Sequence, residues 1–213
     1  GSVGTTTKPI YTAITGGKLT ARAFEDVFIT QCELVNGSCI RNTAHPYLMA
    51  GNAPDLHLSS IYSQTGSILF QTAGSILDGE NTDFVKVLGR FVNLIAGNAI
   101  GESDDALEVK SGFSKTEPAN GWLKATALNN INIADREGDL GVLNILSYQG
   151  DVTLLAQGSI LDSGDLIDPY DPASAADPSS VGGTWPKANV IGKSISLNAV
   201  LGAVGEASNE FDI

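Results

Sequence analysis

Positive charge is scarce in this chain: 12 Lys and Arg face 24 Asp and Glu over 213 residues, a net charge of −12. Such a surface repels polyanions, so nucleic acid and anionic membrane surfaces are not expected partners. Aromatic residues make up only 7%, with two Cys, two His and one Met. No run reaches the roughly 18 uninterrupted apolar residues that a membrane helix needs, and no membrane insertion is expected. The opening GSVG has no charged region leading into an apolar stretch. A signal peptide is therefore not read here; Gly1–Ser2 reads as a cloning remnant, and a piece cut from a longer chain is expected. No G-x-S-x-G occurs anywhere, so the nucleophile elbow of serine hydrolases is missing.

What is plentiful is glycine, 24 residues, set among 42% hydrophobic residues. That balance is globular and suits many short strands and sharp turns. GSILD occurs twice, from Gly74 and from Gly158, inside a much longer internal repeat. LTARAFEDVFI (Leu19 to Ile29) aligns with LKATALNNINI (Leu123 to Ile133), and the stretch Leu56 to Asp78 aligns with Leu140 to Asp162. VLGRFVNLIA (Val87 to Ala96) aligns with VIGKSISLNA (Val190 to Ala199), and IGESDDALEV (Ile100 to Val109) with VGEASNEFDI (Val204 to Ile213). The offsets are 104, 84, 103 and 104, so each copy carries about twenty extra residues at a different place. The chain reads as one unit, 1–213: the end of a preceding repeat at 3–12, repeat 1 at 19–109 with an insert at 31–55, and repeat 2 at 123–213 with an insert at 164–187.

Within the blocks, apolar and polar residues alternate over three to five positions, as in Leu19-x-Ala21-x-Ala23 and Val92-x-Leu94-x-Ala96. This is the period of a short strand with one buried face; no run keeps the i, i+3, i+4 pattern of an amphipathic helix. Short strands repeating in register, with insertions tolerated at corners, predict an all-β parallel β-helix, a solenoid with two inserted loops. A β-sandwich is the alternative. GSILD reads as a strand and corner, with Ile and Leu in the core and the carboxylates of Asp78 and Asp162 serving the turn rather than a ligand.

The stretches GDLGVLNILSYQGDVTLLAQGSILD and VIGKSISLNAVLGAVGEASNEFDI resemble the repeat units of filamentous-haemagglutinin-like giant adhesins. The resemblance implies a right-handed parallel β-helical shaft, export to the cell surface or beyond, and a role as a structural stalk module in attachment or cell-to-cell contact. Its partners would be neighbouring repeats of the same chain, a carbohydrate or a partner cell's surface. In an exported protein, Cys32 and Cys39, close together in QCELVNGSC, are expected to form a disulfide. No metal or cofactor is expected. Asp165, Asp168, Asp171 and Asp177 in the second insert are weak calcium candidates without a regular calcium loop. His45 and His57 match no zinc spacing. Asn36-Gly37-Ser38 fits a glycosylation sequon.

Two further functions are weighed. A carbohydrate-binding module on the same scaffold would use exposed aromatics, for which Tyr47, Trp122, Tyr170 and Trp185 are candidates. A polysaccharide-active enzyme would cluster carboxylates on one open sheet face, whereas the blocks here expose mainly Ser, Thr, Asn and Gln, and no enzyme is expected.

Overall fold

Short apolar alternations become short strands. The computed structural model describes residues 1–35, 38–40, 54–112, 121–163, 188–205, 211 and 213, with the backbone alone for 33–35 and 38–40. In chain order the strands are β1 (Ile10–Thr12), β2 (Leu19–Ala23), β3 (Val27–Gln31), β4 (Glu33–Val35), β5 (Ser38–Ile40) and β6 (Leu56–Ser63). Then come β7 (Ser67–Thr72), β8 (Ile76–Asp78), β9 (Val87–Leu88), β10 (Phe91–Ala96), β11 (Leu107–Lys110) and β12 (Trp122–Ala127). The last six are β13 (Ile131–Asp135), β14 (Leu140–Ser147), β15 (Val152–Ala156), β16 (Ile160–Asp162), β17 (Val190–Ile191) and β18 (Ile195–Ala199). No helix occurs among the described residues.

Sixteen of these strands form two sheets. The first runs β1-β3-β7-β10-β12-β14-β16, with β17 also on β14; the second runs β2-β6-β9-β11-β13-β15-β18, with β8 also on β6. Every pairing within them is parallel. A hairpin-built sandwich would need antiparallel neighbours, and the only antiparallel pair among the described residues is β4 with β5, which makes a small sheet of its own. The protein is therefore all-β with two parallel sheets, and the chain passes from one sheet to the other between most successive strands.

The inward residues stack in ladders. Val27, Ile68, Val92, Leu123 and Val142 are successive partners across the first sheet, and Ile29, Phe70, Leu94, Ala125 and Ile145 form the rung beside them. These ten residues are almost wholly removed from water. Apolar burial at every level, rather than helix propensity or local charge, is the main force that fixes the register.

The aligned blocks keep the same partners. Leu19 pairs with Leu58 and Thr20 with Ser60 across a register shift; Leu123 pairs with Val142 and Lys124 with Asn144 across the same shift. Val27 pairs with Ile68 as Ile131 pairs with Val152, and Ile61 with Val87 as Ile145 with Val190. Turn bonds recur too: Ser75 N–H donates to Asp55 Oδ1 and Ser159 N–H to Asp139 Oδ1, each at 2.7 Å. Yet each strand of the first block set lies in the opposite sheet from its counterpart. β2, β6, β8 and β9 belong to the second sheet, while β12, β14, β16 and β17 belong to the first. One copy thus advances the chain by a half-odd number of circuits between the sheets, so the next copy begins on the other side.

One glycine position is dictated by the backbone. Gly4, Gly101 and Gly205 occupy aligned places, and all three have positive φ, between 64° and 77°. A Cβ at Gly101 would run into the carbonyl oxygen of Asn132, so both conformation and space demand glycine there.

The first insert is only partly a loop. Gln31 belongs to β3 and is buried, its side-chain amide donating to the Ile14 and Pro54 carbonyls at the base of the insert. Residues 41–53, and the whole second insert at 164–187, lie outside the described residues.

Candidate functional site: a buried charge cluster and an open sheet edge

The densest chemistry sits on the outer side of the second sheet. Leu107 and Val109 of β11 point into the core, so alternation sends Glu108 out through the opposite face. It does not reach water: it is buried, with Lys86, whose N–H donates to the Glu108 carbonyl, beside it on the sheet. Lys86 Nζ lies 2.9 Å from Asp78 Oδ2 and 4.0 Å from Glu108 Oε2, and the three side chains are at most 2% exposed. The ammonium also donates to the carbonyls of Thr82 and Phe84, each at 2.8 Å, and to Thr82 Oγ1 at 2.9 Å. Asp78 Oδ1 accepts the Glu80 N–H at 2.7 Å, the turn bond expected of it, while its other oxygen serves the lysine.

Arg136, just past β13, extends the cluster to Asp83 at 2.8 Å and to Glu108 Oε1 at 3.8 Å. Beside it Lys110 reaches Asp135 at 3.3 Å. Burial pushes the Glu108 carboxyl up to about 7 against the pull of Lys86, and the neighbouring Asp78 charge adds to the rise. Burial likewise raises Asp135, and burial together with Asp78 raises Asp105. Glu108 Oε2 accepts no hydrogen bond, which fits a carboxyl that protonates easily.

Chemically this is a staple rather than a reaction centre. A glycoside-cleaving pair needs two carboxyls open to a sugar, whereas Asp78 and Glu108 are sealed from solvent with an ammonium between them. Lys86 has its hydrogens engaged by oxygens. The cluster ties β8, β11 and the chain after β13 together on the sheet's outer face. Among the described residues, no group of three or more His, Cys, Asp and Glu is placed to hold a metal ion.

Of the aromatic candidates, Trp122 is corrected: it is 2% exposed and offers no platform. It opens β12 opposite Phe91 of β10, and the rings pack with centroids 5.2 Å apart, so cross-strand stacking draws it under cover. Tyr47, Tyr170 and Trp185 lie outside the described residues, as do Asp165, Asp168, Asp171, Asp177, His45 and Asn36. His57 is in β6 opposite Leu77. Cys32 is buried at the end of β3, its N–H bonded to the Thr12 carbonyl; the backbone of Cys39 lies in β5, and its side chain is outside the description.

Lys86 escaped notice in the sequence, although a signal was present. It aligns with Asn189 as Asp78 aligns with Asp162, and Asn189 donates to Asp162 Oδ1 at 2.6 Å. The two positions are partners in both copies, once as an ion pair and once as a hydrogen bond.

The second feature is an open edge. β18 is the last strand of the second sheet, and Ile195, Leu197 and Ala199 on it are only partly buried, while Leu201 is 79% exposed beside it. No family model, curated protein or solved structure matches the chain.

Proposed function

We propose that this chain is a structural stalk module of a large secreted or cell-surface adhesin, built as a right-handed parallel β-helix and acting by extending a binding surface away from a cell. The observation that carries the reading is the pairing of aligned blocks in identical registers in alternating sheets, the behaviour of a unit made to stack on copies of itself. Core ladders that run unbroken across the level where one copy meets the next support it further: Val92, Leu94 and Ala96 on one side and Leu123, Ala125 and Ala127 on the other are all fully buried. The charge cluster, closed to substrates, suits a load-bearing element better than an enzyme.

The test has two arms. Each sheet path is seven strands long, which at about 4.8 Å per step gives about 34 Å per chain. Tandem fusions of two and three chains should scatter X-rays as rods of constant cross-section whose length grows by about that amount per chain. Antibodies against the chain should label intact cells that make the parent protein. Fusions whose cross-section grows with mass, or labelling seen only after lysis, would contradict the stalk reading.

A further inference from the structure

The internal junction between the copies shows what fits the open edge. There β10 pairs with β12: Val92 with Leu123, Asn93 with Lys124, Leu94 with Ala125 and Ala96 with Ala127. β18 is the aligned counterpart of β10, and β2 is the counterpart of β12. Because successive copies swap sheets, β18 closes one end of the second sheet and β2 closes the other end of that same sheet. Their inward residues are the core members left half covered: Ile195, Leu197 and Ala199 at one end, Leu19 and Ala21 at the other.

A bridge position shows the same incompleteness. Ile100 bridges Ile76 on one side and Ile131 on the other; among the described residues Val204 bridges only Ile160, and Val3 only Val27. Each of these valines fills one half of the place that Ile100 fills completely.

We propose that β18 is the docking edge for β2 of a second copy of this chain, parallel and in the β10–β12 register: Ile195 on Leu19, Ser196 on Thr20, Leu197 on Ala21 and Ala199 on Ala23. The inference rests on the stacking reading above and adds a partner and a register to it. Both strands are terminal in the sheet among the described residues, so parallel strand addition would extend its hydrogen-bond ladder, and the Leu and Ala side chains close the apolar rung. Val204 of the first copy and Val3 of the second would claim the same bridge, so one terminal segment must yield. With a net charge of −12 on each copy, the association is concentration-dependent and strengthened by salt.

Thr20 and Ser196 face outward and are exposed, so cysteines there report the register without disturbing the core. The test is mild oxidation of concentrated Thr20→Cys/Ser196→Cys protein, followed by a non-reducing gel, with each single substitution run alongside. A ladder of dimers, trimers and longer species in the double variant, at least five-fold above either single variant and reduced by a further Ala21→Asp change, is expected. Dimers from Ser196→Cys alone would mean tail-to-tail pairing, dimers from Thr20→Cys alone head-to-head pairing, and either result overturns the proposal. A strictly monomeric mass by light scattering up to the solubility limit, with no crosslinking, also overturns it. The tandem fusions stay informative in that event, because covalent linkage builds the stack whether or not free copies associate.

Discussion

The two copies within this chain make the same contacts from different residues, and the contrast separates what the blocks specify from what their surroundings decide. In the first copy Asp78 meets the ammonium of Lys86, with Glu108 and Arg136 drawn into the cluster; in the second Asp162 meets the amide of Asn189. In the first copy Val92, Leu94 and Ala96 are fully buried, while their counterparts Ile195, Leu197 and Ala199 are half open. The first difference is written in the side chains. The second is not: it follows from β12 lying on β10 while β18 has, among the described residues, no strand on its outer side. Register belongs to the blocks, and burial belongs to the stack.

The strongest way to break the comparison is to remove the charge that only one copy has. Lys86→Met leaves Asp78 and Glu108 buried without their cation and should cost about 3–5 kcal/mol in urea unfolding. Asn189→Ala removes one hydrogen bond at the aligned place and should cost about 1 kcal/mol. Equal losses would mean that the lysine is not the cluster's anchor. Next in size is the pair Leu94→Ala and Leu197→Ala. The interior change empties a fully covered site and should cost about 3 kcal/mol, the edge change about 1 kcal/mol or less. In a tandem fusion, the Leu197→Ala cost in the leading chain should rise toward the interior value.

The inserts offer a smaller contrast, since both cysteines fall in the first. Alkylation and mass spectrometry of protein made under oxidising conditions should find no free thiol. Reduction should then lower stability by about 2 kcal/mol, as expected for closing a short loop. Two alkylated thiols in the unreduced protein would rule out the Cys32–Cys39 bridge.

The pH effect is the subtlest. Glu108 sits near 7 in the fold and in the ordinary carboxylate range when unfolded, so the folded state holds a proton that the unfolded state releases. That contribution is fully present below the unfolded value and is lost as pH rises through about 7. The upward shifts of Asp105 and Asp135 have the same sign. Denaturation midpoints should therefore fall between weakly acidic and weakly alkaline pH, and Glu108→Gln should flatten the profile and raise the alkaline end. A midpoint that climbs across that window would refute the assignment.

Strand positions were largely legible from alternation: the patterns at 19–23 and 92–96 became β2 and β10 because a period of two with one apolar face has few other places to go. The repeat offsets also anticipated which residues occupy equivalent registers. The half-odd advance that puts aligned strands in opposite sheets was not legible, since an alignment relates positions but carries no rotation. Nor was the fate of Trp122, which depends on Phe91 being its neighbour across the sheet. The charge cluster was half legible. Asp78 carried the turn signature that placed it, but Lys86 joins it because it lies just before β9 between β6 and β11, its N–H donating to the Glu108 carbonyl, a cross-strand neighbourhood that no local pattern encodes.

Amide hydrogen exchange across β10 and β18, in the single chain and in a tandem fusion, tests the dependence of burial on stacking most directly. In the single chain Phe91–Ala96 should be strongly protected and Ile195–Ala199 weakly; in the leading chain of the fusion the two strands should exchange at similarly slow rates. If β18 exchanges equally fast with and without a following chain, or is already as protected as β10 in the single chain, stacking is not what completes the core.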